Sequence, residues 1–327
     1  GMHIILDWVA NHSSYDNVWI SKKPEWYTHD DKGNIIPPVA DWSDVADLNY
    51  DQQELREAMI NSMKFWIKEA NIDGFRCDVA MEVPMDFWQH AVDELQAIKS
   101  DIFMLAEAEG LAFHNDAFDM TYGWNMHHQM NLVAQGKKRP TVLDSIIIAE
   151  QKEYPKEAYR MQFTSNHDEN SWNGTEFERM GEAAQLFAVY AATIPGMLLI
   201  YSGQEVALNK RLQFFDKDEI IWSENHPYTK FYSTLIKLKH DHPALWNGAY
   251  GGSYRQIDDG NETVFSFTCE KEKDKIIVLL NMSNTPQTIL LSEEKGKYRN
   301  VFADKKLRIK GHYSANMKPW EYIVLSK

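Results

Sequence analysis

The run Ile72-Asp73-Gly74-Phe75-Arg76-Cys77-Asp78 is short, largely apolar and unbroken by polar alternation, and it ends on a carboxylate. A strand that reads this way is buried on both faces, which is the habit of parallel sheets. His3 to Asp7, Ile102 to Glu107, Arg160 to Ser165 and Met197 to Tyr201 have the same texture, and a weaker strand is expected near Ala117 to Thr121. Between them lie stripes of helical period. Leu55, Ala58, Met59, Ser62, Met63, Trp66, Ile67 and Ala70 follow Asp51-x-x-Glu54, a capping-box variant. Trp88, Ala91, Leu95 and Ile98 form a second stripe. Phe177, Met180, Ala184, Phe187 and Ala191, behind Thr175-x-x-Glu178, form a third, read as one helix. Strand-helix alternation with right-handed crossovers closes as a (β/α)8 barrel or lies open as a doubly wound sheet, and periodicity does not choose between them.

After about residue 245 the helices stop. Thr263 to Cys269, Lys275 to Met282, Thr288 to Leu291 and Trp320 to Leu325 read as strands. Asp258-Asp259-Gly260-Asn261 and Lys295-Gly296-Lys297 read as the turns between them, which together predict a small antiparallel sandwich. The expected organisation is an α/β domain over 1–244 and a C-terminal β-sandwich over 245–327. An aromatic insertion at about 13–50 interrupts the α/β rhythm, and ordered loops of that length usually line a site.

The 327 residues carry 34 Lys and Arg against 48 Asp and Glu, a net charge of −14 that disfavours nucleic acid and anionic lipid as partners. No apolar run approaches the ~18 residues of a membrane span. Cys77 and Cys269 fit no disulfide framework or zinc spacing.

Four clusters follow strand runs, where a parallel sheet or barrel places its site: Asp7-Trp-Val-Ala-Asn11-His12, Gly74-Phe-Arg76-Cys-Asp78, Leu105-Ala-Glu107 and Asn166-His167-Asp168. Arg76 and Asp78 are two apart, so on a strand they share a side and the guanidinium keeps the carboxylate ionised, as a nucleophile requires. A second carboxyl nearby that holds a proton would complete the apparatus of glycoside hydrolysis. A lone strand-end Asp is usually a turn or a cap, and a lone Trp usually packs; four clusters in order are a stronger signal. Trp8, Trp42, Trp124 and Trp172 are candidates for stacking on sugar rings, whereas His127-His128 reads as structural or surface. The acidic run Asp41 to Asp47 lacks the glycine and spacing of a calcium loop.

Taken in order, these clusters resemble the conserved regions of the α-amylase family of glycoside hydrolases: D-x-V-x-N-H, G-F-R-x-D, the short strand ending at Glu107, and N-H-D. Asp47-Leu48-Asn49 is similar to the segment that closes the family's domain B, and Ile194 to Glu205 to its eighth strand and loop. The resemblance implies a (β/α)8 barrel followed by the sandwich, with the insertion as domain B. It implies Asp78 as nucleophile, Glu107 as general acid/base with Glu109 as the competing choice, and Asp168 as the third carboxylate. Arg76 would orient Asp78. His12, His167, Asp7, Asn166 and Trp172 would bind an α-glucan. No cofactor is expected beyond a possible calcium ion at Asn11, because Val79-Ala80-Met81-Glu82 departs from the Lys-His of many starch-degrading amylases towards a neopullulanase- and cyclomaltodextrinase-like pattern. The Asp7 motif belongs to the family's third strand, so the expectation is a barrel lacking its first two strand-helix units. Retaining hydrolysis of α-1,4-glucosidic bonds is the leading expectation, with transglycosylation or a non-catalytic carbohydrate-binding fragment as alternatives.

Overall fold

In a computed structural model, which describes every residue except Asp258, Asp259 and the side chain of Glu293, the chain forms two compact units, Gly1–Tyr122 and Gly123–Lys327. The first is built on strands β1 (Ile5–Val9), β2 (His12–Ser14), β3 (Val45–Asp47), β4 (Gly74–Asp78), β5 (Phe103–Ala106) and β6 (Met120–Tyr122). Strands β1, β4, β5 and β6 are parallel neighbours in that order, with Asp7 opposite Arg76, Arg76 opposite Leu105, and Leu105 opposite Met120. Side chains alternate across a strand. Phe75 and Cys77 therefore enter the core shared with the helices, while Arg76 and Asp78 point to the other side. Gly74 is required by contact: a Cβ there would sit 1.9 Å from the Phe103 carbonyl oxygen.

Helix α1 (Val18–Lys22) lies in the insertion, and α2 (Gln53–Ala70) and α3 (Met85–Gln96) cover the sheet. Helix α2 buries Leu55, Met59, Ile60, Met63 and Ile67, while Trp66 of the expected stripe is 40% exposed. The expected cap is absent. The helix starts from Gln52 without a side-chain cap, and Glu54 is drawn away to Lys23 at 2.6 Å. The insertion is an ordered loop closed by the antiparallel β2–β3 pair, His12 opposite Asp47, with Trp26 and Tyr27 buried beneath it.

In the second unit, α4 (Trp124–Ala134) and α5 (Thr141–Glu153) precede β7 (Tyr159–Gln162). Next come α6 (Glu176–Met180), α7 (Ala184–Thr193), β8 (Met197–Leu198), parallel to β7, and α8 (Pro227–Asp241). The capping box at Thr175 and Glu178 forms as read. The single helix read behind it does not: Gly181, at φ +57°, ends α6, and a 3-10 turn separates it from α7. Helix α7 is buried on every side, as a helix apolar all round should be.

Strands β9 (Ser253–Ile257), β10 (Val264–Lys271), β11 (Asp274–Asn281), β12 (Gln287–Asn300), β13 (Lys305–Met317) and β14 (Tyr322–Ser326) form one antiparallel sheet ordered β13-β12-β14-β11-β10-β9. It is a single curled sheet: Ile277, Leu279 and Leu325 from one half pack with Ile289, Tyr298 and Ile309 from the other, which is how it encloses a sandwich-like core. Its opposite face joins the helices, because Phe265, Phe267, Ile276 and Val278 share a core with Phe187, Tyr190, Phe231 and Leu235. Helices give way to strands near 245, as the texture predicts, yet this core runs across that point. Two readings need correction. Lys295-Gly296-Lys297 is no turn but the interior of β12, and β13 was not read at all. The Asp258-Asp259 part of the other turn lies outside the described residues.

Candidate active site

The first unit gathers its charged side chains around one guanidinium. Arg76, 7% exposed, donates from Nη1 to Asp7 Oδ1 at 2.9 Å and to Asp78 Oδ1 at 2.5 Å, and from Nε to Tyr122 Oη at 3.2 Å. Its Nη2 lies 2.9 Å from Glu107 Oε2, close enough for strong attraction but not aligned as a hydrogen bond. Burial alone would lower the Arg76 pKa; contact with the Tyr122 hydroxyl and the negative charges of Glu107 and Asp7 outweigh it and raise the value. Burial pushes the Tyr122 phenol up to about 12, so it stays neutral. The Cys77 thiol, wholly buried and also pushed up by burial, is a packing residue, and both cysteines are free.

Glu107 has a second donor. The amide of Val79 approaches its Oε2 at 2.8 Å, and Val79 adopts a left-handed backbone, φ +43° and ψ +43°, to do so. A β-branched residue rarely accepts that conformation, and such strain concentrates at functional sites. Glu109 is exposed two residues further on. His12 packs edge-on against Trp42 at 5.6 Å; burial lowers its pKa, opposed by Asp78, Asp44 and Asp47. Trp8 packs edge-on against Phe75. Three nitrogens at these strand ends, Trp8 Nε1, Asn11 Nδ2 and His12 Nδ1, are buried without a hydrogen-bond partner among the described residues. Buried polar groups are normally satisfied, so a cluster of unsatisfied ones marks a place shaped for a polar ligand. Among the described residues no group of three or more His, Cys, Asp or Glu side chains is arranged to hold a metal, so Asn11 stands without a carboxylate cluster.

The second unit carries the other residues. Asn166 is buried; its Oδ1 accepts from the Glu169 amide at 2.8 Å, which turns the chain into a π-helical turn immediately after Asp168. His167 Nε2 lies 3.3 Å from Asp168 Oδ2. The turn is clamped from below. His127 stacks on Phe163 at 4.5 Å and approaches Glu169 at 3.2 Å, while Arg179 donates to the carbonyls of Thr164 and Gly174. Burial would raise the Glu169 pKa, but His127 and Arg179 bring it below the ordinary value. Trp172 rides on this turn, 55% exposed, and meets Phe214 at 5.0 Å; Phe214 in turn faces the His167 ring at 6.4 Å. Asn170 holds the Phe214 loop in place, accepting from the Leu212 amide and donating to the Lys210 carbonyl.

A profile of the alpha-amylase catalytic domain matches residues 38–246. The chain belongs to the alpha-amylase family. Alpha-amylase MalA of Haloarcula japonica is 26% identical over 93% of the chain and 47% of its own length. A cyclomaltodextrinase of Thermoanaerobacter pseudethanolicus is 26% identical over 95% of the chain and 58% of its own. The chain thus spans about half the length of such relatives. Among solved structures, the noncanonic maltogenic alpha-amylase AmyB from Thermotoga neapolitana superposes with a TM-score of 0.85 at 29% identity, covering 99% of the chain and 77% of its own. An alpha-amylase from Lactobacillus plantarum gives 0.86 at 25% identity, covering 100% and 78%.

Within this alpha-amylase-family chain, Asp7, His12, Arg76, Asp78 and Glu107 lie together in the first unit, and Asn166, His167, Asp168 and Trp172 in the second. Trp124 is half-buried and packs edge-on against Phe163 and His127. Sequence reading missed Tyr122, Val79, Arg179 and Phe214. Only Phe214-Phe215, an aromatic doublet in a stretch without periodicity, left a visible signal.

Proposed function

We propose that this chain supplies the catalytic machinery of a retaining α-glucan hydrolase, built on the (β/α)8 barrel of its family with the 13–50 insertion as domain B and the C-terminal sheet appended. The observation that carries the reading is the single buried guanidinium of Arg76 in contact with Asp78 and Glu107. Two carboxyl groups on neighbouring nitrogens of one fork are close together, in keeping with the roughly 5–5.5 Å of retaining glycosidases. Asp78 would attack the anomeric carbon, forming the glycosyl ester as the glycosidic C–O bond breaks. Glu107 would give its proton to the departing oxygen, then take one from the water that cleaves the ester. Asp7 and His12 in the first unit, and Asn166, His167 and Asp168 in the second, would hold sugar hydroxyls, and Trp172 and Phe214 would offer ring faces to further glucose units.

Relatives named alpha-amylase, cyclomaltodextrinase and maltogenic amylase favour α-1,4-linked glucans, from starch and maltooligosaccharides to cyclodextrins, as substrates. Comparing Asp78→Asn with the parent on maltoheptaose and β-cyclodextrin tests the reading. A fall of about 10³-fold or more in kcat with little change in melting temperature is expected; equal rates would remove Asp78 from the chemistry. Product analysis in the same assay separates hydrolysis from transfer to a second sugar.

A further inference from the structure

The hairpin that sequence reading took for a turn carries the least expected charge in the molecule. Along β12 and β13, Lys295 stands opposite Lys310, Lys297 opposite Arg308, and Arg299 opposite Lys306. All six are exposed, while Tyr298 and Ile309 at alternate positions are buried in the core of the curled sheet and Leu307 is half-buried against it. Among the described residues the one ion pair made by these six is Arg299 with Asp304, at the hairpin end. Like charges directly opposite each other weaken a sheet, and here three such rungs follow one another in a chain of net charge −14. Lysines on an edge strand guard against aggregation. That explains β13, which is the edge, but not Arg299 on β12, a position paired with Lys306 of β13 on one side and Ser326 of β14 on the other.

We propose that this ladder is a binding surface for an acidic polysaccharide, separate from the candidate active site. Successive rungs on one face are about 7 Å apart along the strands and the two rows about 5 Å apart, so an extended polymer lying on the hairpin meets six cations over roughly 14 Å. The same face continues through Ser292, His312 and Ser314, which offer hydrogen bonds to sugar hydroxyls. Apart from the His312 imidazole it carries no aromatic ring on which bases could stack, which disfavours single-stranded nucleic acid. Its one large exposed apolar side chain is Leu290, too little to anchor in a lipid surface.

The test is binding of polygalacturonate to the chain at about 20 and 150 mM salt, beside Lys297→Glu/Arg308→Glu and the milder Lys297→Gln/Arg308→Gln. Affinity should fall steeply with salt, with a log–log slope of about −4 for six contacts on a flexible polyanion. Both variants should bind at least tenfold more weakly at low salt, with cleavage of maltoheptaose unchanged. Lys297→Glu alone, which places a carboxylate opposite Arg308, should weaken binding while raising the melting temperature. Absence of binding at low salt, or equal binding by the double variants, would overturn the proposal. Tighter binding of oligo(dT) or of anionic vesicles would overturn the choice of ligand.

Discussion

The backbone amide of Val79 donates to the Glu107 carboxylate at 2.8 Å, from a left-handed conformation that valine ordinarily avoids. The residue after the candidate nucleophile is thereby tied to the candidate acid. Strand β4 has ended at Asp78, and the twist at Val79 aims an N–H across to the end of β5 instead of along the ladder. Strain of this kind costs on the order of 1–3 kcal/mol and survives where the surroundings over-determine it.

Val79→Gly should relieve that strain. Melting temperature is expected to rise by a few degrees, with kcat on maltooligosaccharide within about threefold of the parent. Val79→Pro removes the N–H and cannot adopt a positive φ, so kcat should fall by tenfold or more. Loss of activity in the glycine variant together with an unchanged melting point would contradict the account.

Arg76→Lys keeps the charge and discards the fork. One ammonium cannot reach Asp7, Asp78, Glu107 and Tyr122 at their present spacing, and the exchange is not conservative at such a site. We expect kcat to drop by roughly 10²-fold or more and stability by a few kcal/mol, since carboxylates that are partly buried lose their counter-charge. Steady-state kinetics and denaturant titration check the two effects separately.

Gly74→Ala tests the packing of β4 on β5. The Cβ would lie 1.9 Å from the Phe103 carbonyl oxygen, a backbone atom that moves only if the strands part. Soluble expression should be lost or the melting temperature lowered by well over 5 °C. A melting curve like the parent's would mean the strands are not so close.

Burial raises the pKa of Glu176, opposed by the hydrogen bonds from Thr164 and Gln204. With the folded value above the unfolded one near 4.5, the folded state binds this proton more tightly. Its stabilisation is complete below the unfolded value and is lost as pH rises through the folded value. Glu176→Gln mimics the protonated acid. Its melting temperature should match the parent's near pH 4.5 and exceed it at pH 8; parallel curves would show that Glu176 is not the linked group.

Removing an aromatic platform should affect binding more than chemistry. Trp172→Ala and Phe214→Ala are each expected to raise KM for maltoheptaose about tenfold, with kcat changed less than threefold, as a stacking contact of about 1–1.5 kcal/mol would give. Equal effects on maltotriose and maltoheptaose would mean the platform does not select for chain length.

Much of the candidate site was legible because its residues terminate buried strands in a recognisable order. Asp7, Arg76, Asp78, Glu107 and Asp168 were each found from a short apolar run and the polar residue that ends it. The choice of Glu107 over Glu109 has a structural correlate in the contacts that Arg76 and Val79 make with Glu107. Tyr122 escaped notice because β6 is three residues long and carries no pattern of its own. Phe214 sits in a loop whose position depends on Asn170, forty-four residues earlier.

Period and motif order, which are local properties of the chain, determined the strand-helix alternation, the change to antiparallel strands near 245 and the identity of the charged strand ends. Tertiary structure alone decided that one guanidinium would touch three carboxylates, because Asp7 and Glu107 reach Arg76 only through the register of β1, β4 and β5. It also decided that Lys295-Gly296-Lys297 would be strand and not turn. Glycine between lysines favours a turn locally, but a strand-long ladder of hydrogen bonds to β13, with Tyr298 and Ile309 buried beneath it, outweighs that preference.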